Sequence, residues 1–109
     1  MAKIEVKVTK SDLGAYLVHA KSKNFDEMVI LDSESDAEKT AKFVEKVFGE
    51  NEKVEVYTGN NEDNPVIVAV CDKKFAYVFT SDDDNTLAAV LMFAKVIVMM
   101  IKSAAKVKQ

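Results

Sequence analysis

Lys3 to Ala20 reads KIEVKVTKSDLGAYLVHA, and the fold turns on whether its second half is a strand or a helix. Between Lys3 and Thr9 the alternation is clean, with Ile4, Val6 and Val8 on one face and Glu5, Lys7 and Thr9 on the other. A period of two with one dry and one wet face is the pattern of an antiparallel sheet. From Ser11 onward two periods compete. Leu13, Tyr16, Leu17 and Ala20 share a helix face that Ser11 could cap, while Tyr16, Val18 and Ala20 equally share a strand face. A helix would make the chain open as a parallel βαβ unit, whose first strand is normally buried on both faces. The half-polar first strand does not suit that role, so a strand over Tyr16 to Ala20 is expected.

Working outward, Lys23-Asn24-Phe25-Asp26 is a turn into a third strand, Met28 to Asp32 (MVILD). Ser35-Asp36-Ala37-Glu38 has the form of a capping box and opens the first helix. Ala37, Thr40, Ala41, Val44, Val47 and Phe48 make its inward stripe, with Phe43 flanking it, and Glu38 with Lys42 forms an outward i,i+4 pair. Gly49 stands where a left-handed C-terminal cap belongs. Lys53 to Thr58 alternates again, and Gly59 to Pro65 reads as a polar loop. Val66 to Cys71 (VIVAVC) and Phe75 to Phe79 (FAYVF) are apolar on both faces and are expected as central strands, joined by a tight turn at Asp72-Lys73-Lys74. Ser81 to Asp84 then opens a long last helix.

The order βββαβββα follows, an α+β domain spanning residues 1–109, with a mainly antiparallel sheet of about six strands and two helices packed on one face. The halves rhyme. LDSESD leads into the first helix and FTSDDD into the second, with Phe43 and Phe93 at similar places, which reads either as an internal ββ(β)α pseudo-repeat or as two helices that each need an acidic start.

Composition narrows the function classes. The chain has 109 residues, a net charge of -3 and 30% charged residues, which is globular composition without the basic excess of a nucleic-acid footprint. Every basic residue is a lysine. Without arginine the planar fork used for bidentate phosphate and guanine contacts is missing. Cys71 is the single cysteine, and no leader segment is visible in the polar N-terminus, so a cytoplasmic location is expected.

Chemistry-bearing residues are few. His19 is the only histidine, so a His-rich metal set cannot be built, and on the strand reading it alternates onto the wetter face. Cys71 ends an apolar strand beside Asp72 and Lys73, where a small buried thiol is the commoner role than a nucleophile. The runs Asp32-Ser33-Glu34-Ser35-Asp36 and Asp82-Asp83-Asp84 would converge if both helices start at one sheet edge. Neither has the spacing of a calcium loop, and helix capping accounts for both. The three glycines are scattered and build no phosphate loop. No catalytic residue, metal ligand or cofactor is therefore assigned.

The remaining signal is Leu87 to Ile101, LAAVLMFAKVIVMMI, in which only Lys95 is polar. That run is shorter than the roughly 20 residues of a bilayer span, and Lys95, Lys102 and Lys106 fall within about 20° of one line on a helical wheel. No membrane partner is expected. Opposite the lysines, Ala89, Val90, Phe93, Ala94, Ile97, Met100, Ile101 and Ala104 suit packing on the sheet. Leu91, Met92, Val96 and Met99 flank the lysines and have no home in a two-layer domain, whose helices need an apolar stripe of only about 100°. These four residues are the expected interface. The resulting expectation is a small non-enzymatic protein–protein interaction domain of inhibitor, adaptor or accessory type, which forms a homodimer or docks on a protein partner through the last helix, with no specific nucleic acid. The alternative is a small-ligand or metal-binding domain or small enzyme with a pocket between sheet and helices, where His19, Cys71 or the acidic edge would supply polar contacts.

Overall fold

A computed structural model describes residues 4–51, 53–72 and 74–107. Lys3, at the start of the expected first strand, and Lys73, in the expected tight turn, lie outside them. The described elements run β1 (Ile4–Lys10), β2 (Tyr16–Ser22), β3 (Asp26–Leu31), α1 (Glu34–Glu50), β4 (Val54–Asn61), β5 (Asn64–Cys71), β6 (Phe75–Phe79) and α2 (Asp84–Val107). The chain is α+β with the order βββαβββα. Its strands divide into two antiparallel three-stranded sheets, β1-β2-β3 and β4-β5-β6.

Tyr16–Ser22 is a strand. Val8, Val18 and Val29 stand in one cross-strand row and Val6, Ala20 and Glu27 in the next, and Val18 and Ala20 are fully buried. Leu13, which a helix over this segment would have turned inward, is 97% exposed at the tip of the β1–β2 connection. The Ser11 hydroxyl accepts the amides of Leu13 and Ala15, and Gly14 takes φ +86°, a conformation open to glycine at little cost. The local turn chemistry of Ser11 and Gly14 therefore closes a hairpin instead of starting a helix.

Helix α1 starts two residues earlier than its expected capping box. Ser33 is the N-cap, its hydroxyl accepting from the Asp36 amide at 3.3 Å while its carbonyl accepts from Ala37 at 3.0 Å. Both Ser33 and Ser35 have a carboxylate three residues on; that of Asp36 accepts from the Ser81 hydroxyl at 3.2 Å. The far end also differs. Gly49 is helical, and Asn51 closes the helix by donating from Nδ2 to the carbonyls of Lys46 and Val47. Gly49 instead permits close approach to β1, because a Cβ there would lie 2.9 Å from Cγ2 of Ile4. Buried Thr40 satisfies its hydroxyl on the Asp36 carbonyl at 2.7 Å.

Each helix crosses from its own sheet to the other. Helix α1 packs on β1 and β2 and reaches β6; α2 packs mainly on β3 of the first sheet and on β4, with a smaller contact to β5. Phe43 of α1 meets Phe79 of β6 edge-on, with ring centroids 5.6 Å apart. The Lys39 ammonium lies 5.3 Å from the centroid of the same Phe79 ring and donates to the Thr80 carbonyl. One buried cluster joins Val18, Leu31 and Val44 to Ile67, Phe79, Val90 and Ile97. The extents of 42 × 36 × 17 Å fit one layer of strands and one of helices.

The β4–β5 hairpin is longer than expected. Residues 59–65 are strand on both sides of a two-residue turn in which Glu62 and Asp63 both have positive φ, 49° and 69°. This arm is exposed on both faces, so no hydrophobic alternation marks it. A two-residue turn with both φ positive is the I′ type that favours Asn-Gly. Replacing Glu62-Asp63 by Asn-Gly is expected to raise stability by about 1 kcal/mol in urea denaturation. Gly49→Ala is expected to destabilise the wild type through the Ile4 contact but to stabilise an Ile4→Ala background by about 0.5–1 kcal/mol, which a double-mutant cycle measures.

Candidate interaction surfaces

The surface with most to explain lies on α2. Leu87, Val90, Phe93, Ala94 and Ile97 enter the core, and Ala89, Ile101 and Ala104 are half-buried beside them. Of the four residues expected to form the interface, Met92 and Met99 are 69% and 64% exposed, and Leu91 and Val96 are half-buried. Five residues apart, Leu91 and Val96 sit about 140° from each other around the helix, one on each border of the buried stripe. Met92 and Met99 lie between those borders, next to exposed Lys95. Met100, expected against the sheet, is 39% exposed. From Asn85 to Val107 the helix carries lysines and no acidic residue. By length and composition alone α2 could cross a membrane, but Val90, Phe93, Ala94 and Ile97 fill the protein core. Beside its last turns, Val54, Val98, Ile101 and Ala105 line a small apolar groove of about 230 Å³, rimmed by Lys102.

A second surface lies on the strand faces turned away from the helices. Val66 to Cys71 and Phe75 to Phe79 are apolar on both faces, as their sequence shows, but for a different reason than two-sided cover. Strand β5 is central in its sheet while β6 is an edge, and their outer faces have no helix over them. Tyr57, Val68 and Val78 make one cross-strand row and Val70 and Ala76 part of the next. On the first sheet Leu17 pairs with Ile30 and His19 with Met28. Met28, Ile30, Tyr57 and Val78 are between 49% and 63% exposed. The second apolar face of β5 and β6 was the available signal, and periodicity could not say which face would be covered.

The polar candidates fall in separate places. His19 is on the helix-free face, hydrogen-bonded through Nε2 to the Asp26 carboxylate. That bond, with the nearby charges of His19 and Lys21, holds the Asp26 carboxyl below its usual range. Cys71 pairs with Val54 and Phe75 on the helix-facing side of the other sheet and is fully buried. No Cys–His pair is assembled, and burial, then the charge of Asp72, pushes the thiol pKa up, away from nucleophilic reactivity.

Both helices do start at one edge. Asp36, Asp82, Asp83 and Asp84 line a cleft of about 630 Å³ there with Lys39 and Glu62 of the long hairpin. Asp36 is engaged by Ser81, and Asp83 accepts the Asn85 amide at 2.9 Å, the work of helix-start capping. Among the described residues no group of three or more His, Cys, Asp or Glu side chains is arranged to hold a metal ion.

Comparison with family models, curated proteins and solved structures finds no match for this chain.

The Cys71 assignment makes a kinetic and a thermodynamic prediction. Alkylation of the native thiol should be at least about 100-fold slower than of the urea-unfolded chain. Above the ordinary thiol pKa of 9.0 the unfolded thiol ionises while the folded one stays protonated, so stability should fall as pH rises through that range. Cys71→Ala should reduce this alkaline slope in denaturant titrations.

Proposed function

We propose that this chain is a non-enzymatic protein-interaction domain, of inhibitor, adaptor or accessory type, that docks on an acidic partner surface through α2. The observation that carries the reading is the exposure of Met92 and Met99, 69% and 64%, on a helix whose opposite side fills the core. Methionine is an adaptable contact residue, and exposed apolar surface at this density marks interaction sites. Lys95, Lys102 and Lys106 frame the methionines with no acidic residue on the helix after Asp84. An α2–α2 pairing of two copies would set lysines against lysines, so charge favours an acidic partner on this face.

The test compares immobilised wild-type chain with Met92→Glu/Met99→Glu and Lys95→Glu/Lys102→Glu variants, each checked for an unchanged thermal midpoint. The expected result is a protein partner whose affinity falls at least about tenfold, or 1.4 kcal/mol, in both variants and weakens with salt. Equal binding by all three forms overturns the reading. Sedimentation with phosphatidylserine vesicles through the same residues also overturns it, in favour of a lipid surface.

A further inference from the structure

The open faces of the two sheets call for a different occupant. We propose that they form a homodimer interface, in which the helix-free face of one copy packs sheet to sheet on the same face of a second copy. This goes beyond the α2 reading and does not depend on it.

Antiparallel sheets with one solvated face normally alternate, apolar toward the core and polar toward water. Strand β1 obeys this, with Glu5, Lys7 and Thr9 outward. Strands β3, β5 and β6 do not. Apart from Asp26 at the start of β3, their outward positions are Met28 and Ile30, then Val66, Val68 and Val70, of which Val66 is buried, then Ala76 and Val78, continued across the register to Tyr57. Each of β3 and β6 is an edge strand that also meets the helix of the other half, so both are turned toward the junction of the halves. Of the outward charges, Asp26 sits at the start of β3, and the others lie on the strands farther away: Glu5 and Lys7 on β1, Lys21 on β2 and Glu55 on β4. An apolar centre with a charged rim is the anatomy of a protein interface.

Charge selects the second copy. An isologous contact brings one patch against itself, so a patch of a single sign repels its own copy. The lysine-only side of α2 is such a patch. The sheet face has a neutral centre and a rim carrying both signs, Glu5 and Glu55 against Lys7 and Lys21, with Asp26 bonded to His19. A rim that carries both signs does not repel its own copy as the lysine-only side of α2 does. The Tyr57 hydroxyl, donating to the Glu55 carboxylate, places its polar end at the same rim and its ring inward. Two such faces stack as sheets do in a β-sandwich, leaving both α2 helices on the outside.

Sedimentation equilibrium of the full chain at tens of micromolar tests this. The wild type and the Met92→Glu/Met99→Glu variant should both be dimers. Ile30→Lys and Val78→Lys should each raise the dimer dissociation constant at least about tenfold, with thermal midpoints of the monomers preserved. Should a lysine variant fail to fold, Ile30→Thr/Val78→Thr keeps the branched shape that strands favour and should still weaken the dimer. A monomeric wild type overturns the proposal, as does a dimer unaffected by the sheet-face changes. A dimer lost only when α2 is altered overturns it too, and moves self-association to α2.

Discussion

Among the described residues β3 and β6 share no hydrogen-bonded ladder, so the two halves of this chain are joined by side chains, through packing and the bonds of Lys39 to the Thr80 carbonyl and of Ser81 to Asp36. Phe43 of α1 against Phe79 of β6, with Lys39 over the same ring, is the visible part of that junction, and α2 against β3 is its counterpart. Burying a large apolar side chain contributes about 1.5–3 kcal/mol, and a sheet of three strands needs such a buried face, or a helix packed on it, to be stable in water. Neither sheet has a helix entirely to itself. Each helix must serve both, and the flat two-layer form follows from that sharing.

The same constraint produces the two exposed apolar surfaces. Two helices placed on one side of six strands cover one side only, and the other side remains as the sequence wrote it. In β1 that side is polar; in β3, β5 and β6 it is apolar. Helix α2, in turn, is apolar over more of its circumference than one sheet layer can bury, so Met92 and Met99 stay outside. The two surfaces lie on opposite sides of the molecule and differ in charge, mixed on the sheets and basic on the helix.

Much of this was legible residue by residue. Lys7, Glu5 and Thr9 fixed the outer side of β1 by alternation, and the buried row of Val18 and Ala20 follows from the same period. The wet line of Lys95, Lys102 and Lys106 could be read from a wheel. Other features were not legible, each for a physical cause. The start of α1, at Ser33 and not Ser35, was ambiguous because capping is a local pattern that both satisfy. The hairpin arm at residues 59–65 is exposed on both faces and so leaves no periodic trace. Gly49 reads as a helix stop until Ile4 is seen against it.

The division between the two kinds of information runs along the range of the forces. Period, capping and turn chemistry act over a few residues, and with the half-polar first strand they set the order βββαβββα and the apolar excess of α2, though not every element boundary. How the strands divide into two sheets and which apolar face of β5 and β6 stays uncovered were decided only in the tertiary structure. Those outcomes depend on how much helix surface is available to cover how much sheet. No local pattern in VIVAVC or FAYVF records that sum.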